Sequence, residues 1–211
     1  MYPAESLSER LKLTLVISRA EASPRTLMEL AEQAFAGGVT ALQLREKNLS
    51  DQILFETAKE LCSYCREHGR LFIINDRLDI AQAVKADGVH LGQSDLPAEA
   101  AAAMLPKNKI LGVSANTLGR AKAALRAGAD YLGVGAIFPT GSKDDASVIS
   151  NEEIKAIINL GCPTVAIGGI SVDNAAQVWA KGFTGLAVIS ALSSSEAPEK
   201  TAGELIASAP K

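Results

Sequence analysis

Aromatic residues make up only 4% of this 211-residue sequence, so its core has to be built from other side chains. Its apolar mass, 47% of the chain, is mostly Ala, Val, Leu and Ile, which suits one core between helices and sheet. Neither sign of charge dominates. With 21 Lys and Arg against 24 Asp and Glu, the formal net charge of -3 leaves no broad basic field for nucleic acid, so an anion site has to be local. Long hydrophobic runs are also missing at the start, where Glu5, Glu9, Arg10 and Lys12 interrupt MYPAESLSERLKLTLVIS. That excludes a signal-type apolar segment or a membrane span there and points to the cytoplasm. Cysteine is scarce: three residues cannot all pair within the chain, and a reducing compartment leaves them as thiols. Cys62 and Cys65 form a CxxC with His68 three residues on, yet TAKELCSYCREHG has a helical pattern and a second ligand cluster is missing. Ordinary helix cysteines are therefore preferred to a zinc site.

What is present is an alternation. Short apolar runs predict strands near Leu13 to Ser18, Val39 to Leu44, Leu71 to Ile74, Gly88 to Leu91, Ile110 to Val113, Tyr131 to Val134, Thr164 to Ile167 and Gly185 to Ile189. Between them, helical patterns begin near Pro24, Ser50, Leu78, Pro97, Thr117, Asn151, Val172 and Glu196, with Ser23, Asp95 and Ser171 as capping or turn residues. The junctions FAGGVTALQL, VKADGVHLG, LRAGADYLGVG and AKGFTGLAVIS repeat, with Gly38, Gly88, Gly128 and Gly182 spaced 50, 40 and 54 residues apart. Strands nearly unbroken in Val, Ile and Leu belong to a parallel sheet covered by helices. The expected fold is α/β: a single (β/α)8 TIM barrel over residues 1–211, preferred to an open doubly wound sheet.

In such a barrel the functional groups belong at the C-terminal ends of the strands. Polar residues gather there: Gln43, Arg45 and Lys47 after the second predicted strand, Asn75 and Asp76 after the third, Gln93 and Asp95 after the fourth. Ser114 follows the fifth, Pro139 to Lys143 the sixth, Gly168 and Gly169 the seventh, and Ser190 the eighth. Asp76 and Asp95 are nineteen residues apart but follow adjacent strands, so they can share a hard cation. Magnesium is the natural candidate, because it takes one or two carboxylates plus phosphate oxygens and water. The bland alternative is that each Asp caps a helix, which Asp95 before Leu96-Pro97 would suit. Arg45, Lys47 and Lys143 bring three cations to the same mouth, an inventory that matches a diphosphate. The Gly168-Gly169 turn and the end of the eighth strand occupy the usual barrel phosphate site.

The ordered motifs QLREK (43–47), IINDR (73–77), ADGVHLGQSDLP (86–97), LGVSAN (111–116), GADYLGVGAIFPTGSK (128–143), VAIGGIS (165–171) and VISA (188–191) resemble those of the thiamine phosphate synthase family. The resemblance implies joining 4-amino-5-hydroxymethyl-2-methylpyrimidine diphosphate to 4-methyl-5-(2-phosphooxyethyl)thiazole, with release of diphosphate. It implies that Gln43, Arg45, Lys47, Asn75, Ser114 and Lys143 hold the pyrimidine diphosphate, with Arg45, Lys47, Ser114 and Lys143 acting in catalysis. Asp76 and Asp95 would bind Mg2+, and Thr140, Ser142, Gly169, Ile189 and Ser190 would hold the thiazole phosphate. The implied chemistry is dissociative: C–O cleavage leaves a pyrimidine methylene cation that the thiazole nitrogen captures. Expected partners are these small molecules, not nucleic acid or membrane, and a homo-oligomer is compatible with the sequence.

Three positions depart from the family pattern. Ala136 stands where proline is usual, Asn116 where histidine is frequent, and KDDASVIS (143–150) lacks the expected proline-rich character. Two other functions share part of this pattern. A thiazole tautomerase paralogue shares GVHLGQ, the IGG turn and the thiazole phosphate but needs no diphosphate ligands. A noncatalytic phosphate-ligand sensor would keep the barrel and lose turnover.

Overall fold

Eight short runs of mostly apolar residues become parallel strands because each is covered on both faces, by helices outside and by the other strands inside. In the computed structural model, which describes residues 6–141 and 147–210, they are β1 (Leu13–Ile17), β2 (Ala41–Leu44), β3 (Leu71–Asn75) and β4 (Gly88–Leu91), then β5 (Ile110–Ser114), β6 (Tyr131–Val134), β7 (Thr164–Ile167) and β8 (Gly185–Val188). They pair in chain order, and β8 closes onto β1 through Leu13 beside Leu186 and Leu15 beside Val188. The expected barrel is observed.

Around it run α1 (Leu7–Arg10), α2 (Arg19–Ala22), α3 (Leu27–Ala36), α4 (Asp51–Glu67), α5 (Leu78–Ala83) and α6 (Ala98–Met104). They are followed by α7 (Leu118–Arg126), α8 (Asn151–Ile158), α9 (Val172–Trp179), α10 (Ser190–Ser193) and α11 (Pro198–Ala207). The four-residue helices α1, α2 and α10 were not anticipated, since a single turn carries no readable period. None of the helices among the described residues is long and apolar enough to cross a membrane.

The core has two layers. Leu42, Phe72, Val89, Leu132 and Leu186 point outward against Leu30, Leu61, Ile157 and Val178 of the helices. Inside the barrel lie Val16, Ala41, Leu71, Ile73, Tyr131, Val165 and Ala187, together with Leu11. Burying each large aliphatic side chain contributes roughly 1.5–3 kcal/mol. Leu11 follows α1, and its carbonyl lies against Gly185 at the start of β8, so α1 plugs the N-terminal end of the barrel.

The repeated junction is real, but its register differs from the glycine spacing. Gly38, Gly128 and Gly182 have φ of 99°, 96° and 95°, and the equivalent fourth position is Lys85 at 58°, not Gly88. Two residues further on, a short polar side chain accepts a strand N–H: Thr40 from Leu13 (3.0 Å), Asp87 from Phe72 (2.9 Å), Asp130 from Leu111 (2.8 Å) and Thr184 from Thr164 (2.8 Å). Each clamp ties the residue before an even strand to the start of the odd strand before it.

Two capping assignments change. Ser23 ends α2, while Thr26 begins α3 with a capping box to Glu29. Asp95 caps no helix: α6 starts after Pro97, and the Asp95 carboxylate accepts from Gly92 N–H instead (2.6 Å). Ser171 does begin α9, its N–H donating to Asn174 Oδ1 (2.9 Å). The CxxC lies on the buried side of α4; burial raises both thiol pKa values, and His68 packs at a tilt against the Tyr64 ring rather than joining the cysteines.

Candidate active site

Alternation along the strands decides which residues look into the mouth. Gln43 on β2, Asn75 on β3 and Ser114 on β5 share the inward-facing parity of Ala41, Ile73 and Gly112 below them. Gln43 is buried, whereas Asn75 and Ser114 are half-buried at the rim. Arg45 and Lys47 leave the end of β2 in a loop held by two bonds: Arg45 N–H donates to Ile17 O (2.8 Å), and Glu46 accepts from Arg19 N–H at the start of α2 (2.6 Å).

Asp76 turns the chain sharply at the end of β3. Its φ of 64° lies in the left-handed region, which Asp tolerates better than most side chains, and its N–H donates to His90 O on β4 (2.8 Å). The carboxyl thereby meets Asp95, close enough for a hydrogen bond between the two. Burial, then that hydrogen bond and the Asp95 charge, push the Asp76 pKa up to about 6, while Lys47 and Arg45 pull it down. The loops after β2, β3 and β4 therefore share one electrostatic site. Arg77 does not join it, pairing with Asp51 (2.7 Å) and Asp79 (2.6 Å) on the outer side.

Across the mouth, the loops after β6 and β7 run together. Ile137 and Phe138 N–H groups donate to Ile167 and Gly168 carbonyls (both 3.0 Å), so Pro139 and Thr140 are carried beside Gly169. Gly169 has φ of 65°, and a Cβ there would come within 2.7 Å of Phe138 Cβ. The glycine is therefore demanded by the backbone and by this seam, whatever occupies the mouth. Ile189 is the N-cap of α10 and Ser190 its first residue, which places the start of a helix directly after β8. The Gly135–Ala136 peptide bond is cis, and Asn116 accepts a hydrogen bond from Arg120 (2.6 Å). Ser142 and Lys143, both expected in the site, lie outside the described residues.

One pair of inward-facing residues was missed in the sequence. His90 on β4 and Tyr131 on β6 are buried inside the barrel, with Tyr131 hydroxyl 2.9 Å from His90 Nδ1 and Ser114 Oγ 2.9 Å from His90 Nε2. The available signal was parity: in GVHLG, His90 falls two residues after Gly88 and so points inward. A separate hollow of about 870 Å3 lies on the flank of the barrel. Arg19, Lys59 and Arg66 line it together with Glu56 and Glu60, a mixed set that singles out no anion.

A parallel barrel with carboxylates and cations on one side of its mouth, and glycine-lined backbone on the other, falls in the class of barrel proteins equipped for phosphorylated small molecules. Comparison with known proteins narrows this. Residues 13–192 match the family model described as thiamine monophosphate synthase, and the chain belongs to that family. The thiamine-phosphate synthase of Moorella thermoacetica is 52% identical over 182 residues, 85% of this chain and 87% of that protein. That of Coprothermobacter proteolyticus is 46% identical over 193 residues, 91% of this chain and 92% of that protein. Among solved structures, a thiamine phosphate pyrophosphorylase from Pyrococcus furiosus superposes with a TM-score of 0.88 at 42% identity, over 96% of this chain and 97% of that one. The chain is a transferase of thiamine biosynthesis, and these relatives favour the synthase over the tautomerase and sensor alternatives.

Proposed function

We propose that the protein joins 4-amino-5-hydroxymethyl-2-methylpyrimidine diphosphate to 4-methyl-5-(2-phosphooxyethyl)thiazole, forming thiamine phosphate and releasing diphosphate. The observation that carries this is the family match across residues 13–192, which spans every strand of the barrel. The mouth supplies a compatible inventory. Gln43, Arg45, Lys47, Asn75 and Ser114 hold the pyrimidine diphosphate, with Lys143 from the loop after β6. Thr140, Ser142, Gly169, Ile189 and Ser190 hold the thiazole phosphate, the last three through backbone groups.

Magnesium fits Asp76 and Asp95, because two facing carboxylates, one with its pKa raised to about 6, form an all-oxygen pair that a hard cation relieves. Bound there, the ion would supply positive charge to the departing diphosphate. Arg45 and Lys47 add to that charge from the adjacent loop, which favours C–O cleavage over return. Holding the thiazole phosphate on the opposite rim aligns the ring nitrogen with the methylene carbon, so capture becomes a step within one complex. No side chain has to act as a general base. The unpaired cysteines fit a cytoplasmic location. The test is to supply both substrates with and without magnesium: equal amounts of diphosphate and thiamine phosphate are expected, and a folded protein that makes neither contradicts the proposal.

A further inference from the structure

Ser114 stands at the end of β5 with its hydroxyl 2.9 Å from His90 Nε2, and behind His90 the Tyr131 hydroxyl sits 2.9 Å from Nδ1. Three strands contribute to this chain of contacts, which runs from the closed interior of the barrel to its mouth. Room for it is made by two glycines. A Cβ at Gly112 would overlap the Tyr131 ring, and one at Gly133 would come within 2.7 Å of His90 Cε1. An aliphatic interior would need neither gap. Gln93, from the loop after β4, donates to Ser114 O (2.6 Å) and holds the serine backbone in place.

We infer that Tyr131 and His90 form a positioning relay that keeps the Ser114 hydroxyl hydrogen free to donate into the mouth, toward an acceptor atom of the pyrimidine diphosphate. Direction follows from satisfying the buried end. Tyr131 is fully buried, so its O–H hydrogen needs an acceptor, and His90 Nδ1 is the atom in place. A neutral imidazole that accepts at Nδ1 carries its hydrogen on Nε2, which then donates to Ser114 Oγ. The serine oxygen is thereby occupied as an acceptor, and its own hydrogen must find a partner elsewhere. The opposite tautomer would strand the Tyr131 hydrogen in the core and turn Ser114 inward as a donor to His90. Neither Tyr131 nor His90 needs to touch substrate.

The inference rests on the proposed reaction for its substrate but not for its geometry, so two measurements separate them. The first is nitrogen-15 NMR of the ligand-free protein, where a His68→Gln background leaves one histidine to observe. The Nε2–H tautomer of His90 is expected, loosening toward a mixture in Tyr131→Phe; an Nδ1–H tautomer in the parent overturns the relay. The second is a double-mutant cycle. Tyr131→Phe should lower kcat/KM for the pyrimidine diphosphate about five- to tenfold, leave the KM for the thiazole phosphate unchanged, and cost less than about twofold once Ser114 is Ala. A Tyr131→Phe loss that persists in full without the Ser114 hydroxyl overturns the proposal. A parent that releases no diphosphate counts against the reaction, and the tautomer then decides the relay by itself.

Discussion

Asp76 carries opposing demands in one residue: a left-handed backbone turn, a half-buried carboxyl, and a like charge at hydrogen-bonding distance. Its pKa in the fold, about 6, lies above the ordinary 3.8, so the folded protein holds this proton more tightly than the unfolded chain. The associated stability is fully present below about pH 4 and is lost as the pH rises through about 6. Magnesium competes with that proton, so it should raise the melting temperature more at about pH 8 than at about pH 5. Asp95→Asn should flatten that difference. Equal magnesium shifts at both pH values in the parent, followed by calorimetry, would contradict the metal assignment.

Gly169 makes a different prediction at the same scale. Its φ of 65° and the crowding by Phe138 and Pro139 mean that Gly169→Val strains the seam between two loops before it affects any ligand. A cost of about 1–3 kcal/mol is expected, which for a chain of this size lowers the melting temperature by roughly 2–12 °C. Ser190→Ala keeps its N–H and should leave stability unchanged. Differential scanning calorimetry distinguishes them, and an unshifted Gly169→Val would show that the seam yields without strain.

Among the elements, the four polar clamps at the base of the barrel divide it into paired strands. Asp130 is the sharpest test because its carboxylate accepts Leu111 N–H, and Asp130→Ala leaves that part-buried donor without its acceptor. A loss of about 1–3 kcal/mol in stability is expected, with KM for both substrates unchanged, since the clamp is at the opposite end from the mouth. Urea denaturation and steady-state kinetics on the same variant check both halves. Wild-type stability would mean that water replaces the carboxylate. Strands were legible in the sequence because runs such as LFII (71–74) are apolar on both faces. The clamp register was not, because spacing alone favoured Gly88, whereas the turn is taken by Lys85, a residue type that gives no sign of a positive φ. α1 and α10 are too short to show a period in the sequence, yet one plugs the barrel and the other follows β8 directly.

At the scale of the whole molecule, the barrel is plugged at one end by Leu11 and α1 and carries the loops with Arg45, Lys47, Asp76 and Asp95 at the other. Placing Arg45, Asp76, Asp95 and Ser114 at one mouth needed only the strand order, since each follows an identifiable strand. What strand order could not convey was reach. His90 touches Tyr131 and Ser114, 41 and 24 residues away, because barrel closure and the gaps at Gly112 and Gly133 bring them together. The same limit applies to Asp95, for which the sequence left a helix cap open beside a metal ligand, whereas its carboxylate lies against Gly92 N–H and Asp76. On the proposed function, this mouth releases diphosphate with the help of a cation held by the facing carboxylates. The most direct test is to follow diphosphate release from the two substrates while magnesium is removed with a chelator and then restored, in the parent and in Asp76→Asn. Release should stop with the chelator, return with magnesium, and fall at least about a hundredfold in the variant. Release that continues undiminished without a divalent cation, or in Asp76→Asn, would contradict the account.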